Sequence, residues 1–206
     1  LDPKYAICAE GKNQSPVDLA GMIKSDLKPI TVNYQSGGKE IVNNGHSIQV
    51  NYHPGCTITV DGNEFELKQF HFHPPSENKI KGQSYPTEAH FVHADKKVRL
   101  AVIAVIFVFG KKHEELEKAW MHMPGSAGGK SALPKSVDAN LLLPSDHDYY
   151  RFNGSLTTPP CSEGVWWRVM KSYAAASKEQ IDKFANTMQH PNNRPLQPAN
   201  ARPILK

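Results

Sequence analysis

The 206-residue sequence is poor in cysteine and has no long apolar run. Its three cysteines, Cys8, Cys56 and Cys161, form no C-x-x-C pair, which argues against a thiolate zinc cluster. In a reducing compartment they are buried thiols; in an oxidising one, two can pair and one is left over. The most apolar stretch, residues 100–109, suits a buried strand and is too short to cross a bilayer, so no membrane insertion is expected. Basic clusters are missing as well. Net charge is +4 and the pI is near 8.9, but lysine and arginine are spread along the chain. That distribution favours solubility and argues against nucleic acid as a partner. Neither an internal repeat nor a linker is visible, so residues 1–206 are expected to form one domain with a sizeable core. The chain begins at Leu1 with no Met and no signal segment, as expected of a processed or trimmed form.

Turn formers are plentiful. Sixteen prolines and fourteen glycines cut the chain into short pieces and point to strands rather than a helical bundle. Alternating or β-rich runs predict strands at 30–34, 40–43, 47–52, 57–60, 64–73, 87–94, 98–109, 149–152 and 165–172. Asn44-Gly45 and Asp61-Gly62 mark tight turns, so the first strands read as an antiparallel meander. The run 98–109 is apolar on both parities and predicts a central strand buried on both faces. Helices are expected at 111–121 and at 178–188, the second capped by Ser177 with Gln180 in the capping-box position. Residues 124–148 read as a long surface excursion, and the Pro/Asn-rich C-terminal segment as extended. The predicted fold is mainly β: a large, mostly antiparallel twisted sheet with a few short peripheral helices.

The chemical signal lies in two of these strands. In 64–73 the odd positions place Phe65, Leu67, Gln69, His71 and His73 on one face. The even positions place Glu64, Glu66, Lys68, Phe70 and Phe72 on the other. His71 and His73 therefore project side by side, and His90 on a neighbouring strand can complete a facial set of three nitrogens. Zinc takes such a set and leaves its fourth position to water in catalytic sites. A metal-bound imidazole donates its other N–H to a polar group. Gln69 and Glu88, each two residues before a histidine on the same face, fit that need for His71 and His90. His73 has no such partner in its strand and needs a backbone carbonyl.

Three segments, Gln69-Phe70-His71-Phe72-His73, 87–93 (Thr-Glu-Ala-His-Phe-Val-His) and 154–161 (Gly-Ser-Leu-Thr-Thr-Pro-Pro-Cys), together resemble the alpha-class carbonic anhydrases. The likeness runs in order from Gln14-Ser15-Pro16-Val17, through Asn43-Asn44-Gly45-His46, to Asn193-Arg194-Pro195. Pro74-Pro75-Ser76-Glu77-Asn78 and Cys161 resemble the bacterial branch. The resemblance implies a zinc lyase for the reversible hydration of carbon dioxide to bicarbonate, by attack of a zinc-held hydroxide. It implies His71, His73 and His90 as zinc ligands, with Gln69, Glu88 and the Asn192 carbonyl as their partners. Thr157 and Glu77 match the pair that orients the attacking oxygen, and Thr158 lines the same wall. Val92, Val102, Leu156, Val165 and Trp167 match the apolar substrate pocket; Val92 also shares parity with His90. His46 matches the proton shuttle, with Asn44 and Gln49 ordering water beside it. His93 matches a structural position outside the ligand set. Sulfonamides and simple anions are the inhibitors expected of such a site.

The same resemblance pairs Cys8 with Cys161 and implies a periplasmic or secreted protein. Cys56 is then a buried thiol or a bridge between subunits of a homo-oligomer. The family's N-terminal aromatic segment is absent or trimmed, and no tyrosine, Tyr5 included, is assigned to its cavity-lining tyrosine. Two rival readings differ in class. A catalytically silent binding module of this family typically lacks a zinc histidine, whereas this chain has all three. A zinc esterase of another kind is not supported by any serine-nucleophile motif or second metal cluster.

Overall fold

In the computed structural model, residues 3–206 are described. A short helix α1 (Ile7–Glu10) precedes β1 (Asp18–Leu19), β2 (Thr31–Asn33), β3 (Gly38–Asn43), β4 (Ile48–Tyr52) and β5 (Thr57–Val60). The long β6 (Asn63–His73), β7 (Lys79–Ile80), β8 (Thr87–Ala94) and β9 (Leu100–Phe109) follow. Then come α2 (Glu114–Trp120), β10 (Lys130–Val137), β11 (Tyr149–Ser155), β12 (Glu163–Met170), β13 (Ala174–Ala176) and α3 (Lys178–Met188). An 11-stranded sheet runs β10-β3-β4-β6-β8-β9-β12-β11, with β2, β5 and β13 paired off this path. Most pairings are antiparallel; β12 and β13 run parallel to β9.

The central strand is where its composition places it. On β9, Ala101, Ile103, Val105 and Phe107 enter the larger core, while Val102, Ala104 and Ile106 enter a second cluster on the opposite face. The strand begins at Leu100 rather than 98, because Val98 sits in a turn with φ +62°. Helix α3 carries the expected capping box: Gln180 N–H donates to Ser177 Oγ, and Ser177 N–H donates to Gln180 Oε1 at 3.2 Å.

Two expectations need correction. The excursion 124–148 contains β10, which pairs antiparallel with β3, and a 3-10 turn at Ala139–Leu142. β10 is an edge strand whose buried residues are Leu133 and Val137, so it shows no alternation, and Pro134 is tolerated there. In β6, the single-face assignment from Phe65 to His73 fails. Leu67 pairs with His93 and Gln69 with Val92, leaving Lys68 as the extra residue of a β-bulge. Before the bulge the odd positions Phe65 and Leu67 enter the main core. After it the even positions Phe70 and Phe72 do, freeing Gln69, His71 and His73 for the other face.

Cys8 and Cys161 are joined by a disulfide. Cys56 is a buried free thiol; its Sγ accepts from Gln35 N–H at 3.3 Å and lies 3.4 Å from Gln35 O. A bridge to a second subunit would require this packing to open.

His93 is fully buried, donating Nδ1–H to Ala101 O at 3.1 Å and accepting the Tyr34 hydroxyl at Nε2. Burial pushes its pKa down to about 4, from an ordinary value of about 6.5. The unfolded chain therefore binds the extra proton between these values, and stability rises with pH across that window. The contribution is complete above pH ~6.5 and is lost as pH falls toward ~4, about 3 kcal/mol in all. Urea melts of the parent and of His93→Phe should diverge by that amount across the window. Parallel pH profiles would sink the assignment.

Candidate metal centre

The site sits on the face of the sheet opposite the main core. Cross-strand register builds it: Gln49 lies opposite His71, His71 opposite His90, and His73 opposite Glu88. One ring nitrogen from each of His71, His73 and His90 falls within 4.8 Å of the others. The remaining nitrogens face polar groups behind the set, two of them in hydrogen bonds and the third, His90 Nε2, in an ion-pair contact. His71 Nδ1–H donates to Gln69 Oε1 at 2.8 Å, and His73 Nδ1–H to Asn192 O at 3.0 Å. His90 Nε2 lies 3.2 Å from Glu88 Oε1. His71 Nε2, His73 Nε2 and His90 Nδ1 are thus the donors left to converge.

The electrostatics fit a cation site. Burial, then each other's proximity, holds His71 well below the ordinary imidazole range. His73 is also lowered, chiefly by burial. For His90, burial is outweighed by Glu88 and Glu77, and the net shift is upward. Burial likewise works to raise Glu88, but His90 and Asn78 hold it lower, as an anion behind the ligand ring. His73 Nε2 is buried with no hydrogen-bond partner. A buried nitrogen of this kind is costly unless an ion or proton satisfies it, so the residues present fit a metal.

A cavity of about 400 Å³ opens in front of the set. His46, Asn44, Gln49 and Thr158 line it, as does Tyr5, to which the resemblance assigned no role. His46 is exposed, on a turn in which Asn44 Oδ1 accepts the N–H groups of His46 and Ser47. That Asn44 oxygen is therefore already engaged. Gln49 Nε2 donates to Asn51 Oδ1 at 2.6 Å. Val92, Val102, Leu156, Val165 and Trp167 gather in one apolar cluster, with the Trp167 ring 4.9 Å from that of His90. Thr157 is buried on the loop after β11.

Glu77 Oε1 accepts Arg194 N–H at 2.8 Å. Its Oε2 faces His90 Nδ1 at 3.8 Å and has no hydrogen-bond partner, so the expected Thr157–Glu77 bond is not made here. Asn78 and Arg194 escaped the sequence reading as individual residues. Asn78 donates to both Glu88 oxygens at 2.6 and 2.8 Å and accepts Val17 N–H, so the Gln14-to-Val17 anchor bears on a ligand partner. Arg194 also donates to Gln14 Oε1, Ser15 O and Cys8 O. Both lie in stretches the resemblance had marked, but only the fold shows what their side chains hold.

The model of the eukaryotic-type carbonic anhydrase family matches residues 2–206. The chain belongs to the alpha carbonic anhydrases. A carbonic anhydrase of Neisseria gonorrhoeae is 48% identical over 207 residues, covering 100% of this chain and 82% of that protein. The structure of a hyperthermostable carbonic anhydrase from an active hydrothermal vent chimney superposes with a TM-score of 0.97 at 56% identity. The alpha-carbonic anhydrase of Thermovibrio ammonificans, in complex with the inhibitor sulfanilamide, does so with a TM-score of 0.98 at 50% identity. Each match covers 100% of this chain and 92% of the solved one. As an alpha carbonic anhydrase with its three-histidine set intact, this chain is a carbonate dehydratase, interconverting carbon dioxide and bicarbonate.

Proposed function

We propose that the ion held by His71, His73 and His90 is zinc, with Thr157 and Glu77 orienting the attacking water and His46 carrying its proton to buffer. The observation that carries this is the convergence of three imidazole nitrogens, one of them buried without a partner. An all-imidazole set with an open position suits zinc. When bound, the ion supplies Lewis acidity and an acidified water, chemistry for which carbonic anhydrases are the standing example.

The chain supplies the rest. Glu77 is fixed through Oε1 by Arg194 N–H, which leaves Oε2 as an acceptor. A Thr157 hydroxyl that donates there must accept on its other side, so it selects a partner presenting a proton. The cluster of Val92, Val102, Leu156, Val165 and Trp167 offers a small nonpolar molecule a dry wall beside His90. Thr158 adds a polar edge. At the rim, the exposed His46 imidazole stands between the cavity and solvent, where a proton carrier is needed. The sulfanilamide complex of the Thermovibrio relative supports expecting sulfonamide inhibition here. The Cys8–Cys161 bridge supports a periplasmic or secreted setting; recovery of the mature protein from the cytosolic fraction alone would overturn that part.

Zinc content and carbon dioxide hydration, with and without a sulfonamide, test the main reading. One zinc per chain with no hydration would refute it. For the shuttle, His46→Ala should lower turnover in weak buffer by roughly a hundredfold, the low end of what a positioned proton carrier contributes. Added imidazole should restore it. Equal turnover for both proteins removes His46 from the reaction.

A further inference from the structure

We infer that the Asn192 side chain is a positioning residue for proton transfer, tying the His46 turn to the strand that carries His71 and His73. The inference rests on the shuttle reading of His46. Asn192 serves His73 through its backbone carbonyl, a service any residue can give. Its side chain does something separate. One amide N–H donates to His46 O at 2.9 Å and the other to Phe72 O at 3.0 Å, between the two strand histidines. The amide orientation follows from these contacts, because a flipped group would turn its oxygen onto two carbonyls.

The cost of this arrangement is visible. Asn192 Oδ1 is buried with no hydrogen-bond partner. An unsatisfied amide oxygen is unfavourable, and a residue kept only for its main chain needs no amide. The turn is gripped from its other sides as well. Asn44 Oδ1 holds the N–H groups of His46 and Ser47, and Ser47 Oγ donates to the same Phe72 carbonyl at 2.7 Å. Phe72 O is therefore a common anchor, and among the described residues Asn192 is the side chain that joins it to the His46 carbonyl. An exposed imidazole on a turn would otherwise sample many positions relative to the metal ligands.

The test compares Asn192→Ala, His46→Ala and the double variant, each loaded with zinc and normalised to metal content. The ratio of turnover in strong to weak buffer should rise about tenfold for Asn192→Ala, within the roughly hundredfold that a 1 Å misplacement can cost. The double variant should show no larger ratio than His46→Ala, because the clamp acts through that imidazole. Asn192→Ser, with a single short donor, should fall between parent and Asn192→Ala and serves where the alanine variant folds poorly. In the metal-free protein, amide hydrogen exchange at His46 and Ser47 should accelerate in Asn192→Ala. A normal ratio in Asn192→Ala beside a raised ratio in His46→Ala overturns the clamp alone. A normal ratio in both overturns the shuttle and the clamp with it. Unchanged exchange at His46 and Ser47, or additive ratios in the double variant, also overturns the clamp.

Discussion

Replacing His73 with alanine will strip the protein of zinc and lower carbon dioxide hydration by on the order of 10⁶-fold, the lower end of enzymatic rate enhancement. His73 is 1 % exposed, its Nδ1 is anchored on Asn192 O, and its Nε2 points into the ligand set with no other partner. Two imidazoles cannot close a facial site; Glu88 is held behind the ring by Asn78, and Glu77, whose Oε2 lies 3.8 Å from His90 Nδ1, is tied back through Oε1 by Arg194 N–H. Metal analysis and stopped-flow hydration check this. Gln69→Ala is the graded comparison. It removes the group that orients His71 and leaves the ligands, so zinc affinity should fall only about 10- to 100-fold. A His73→Ala protein that keeps one zinc per chain and normal turnover would refute the ligand assignment.

Replacing Cys8 with serine should cost about 4 to 5 kcal/mol of stability in the chain-entropy account of cross-links. The bridge spans 153 residues, so it closes most of the chain into one loop and restricts the unfolded state accordingly. Native contacts converge on the same place. Arg194 donates to Cys8 O, Gln14 Nε2 donates to Cys161 O, and Cys161 N–H donates to Thr158 O inside the loop that carries Thr157. Cys8→Ser, Cys161→Ser and the double variant should therefore lose the same amount in urea melts, because each removes one and the same constraint. A loss below about 1 kcal/mol would mean that the native contacts alone hold the N-terminal segment.

The ligand set was legible because strands obey a period of two and its members lie within twenty residues of one another. Period two and a neighbouring strand brought His71, His73 and His90 forward with Gln69 and Glu88 as a candidate set, and the family resemblance completed the assignment. The partners of Glu77 and Glu88 were not legible as side chains. Asn78 and Arg194 act through several hydrogen bonds each, set by loop geometry, which no periodicity encodes. Tyr5 was left unassigned for a related reason: its place beside the cavity depends on how the segment before Gln14 folds back, and that segment has no regular pattern. β10 was missed because an edge strand with two buried residues carries no alternation. In β6 the rule itself was misapplied, since a single unpaired residue resets the parity and leaves no mark in composition.

That reset has a consequence for how the sequence can change. Lys68 keeps two hydrophobic phases in one continuous strand, Phe65 and Leu67 before it, Phe70 and Phe72 after it. Deleting Lys68 would place Gln69 directly after Leu67 and merge the phases into one regular alternation, with Phe65, Leu67, Phe70 and Phe72 still on the core face and Gln69, His71 and His73 still on the other. Substitutions at the exposed Lys68 should be well tolerated, and its deletion should leave His71 opposite His90. At this one position the strand is thus permissive in composition and in count, because the unpaired residue belongs to neither face's register.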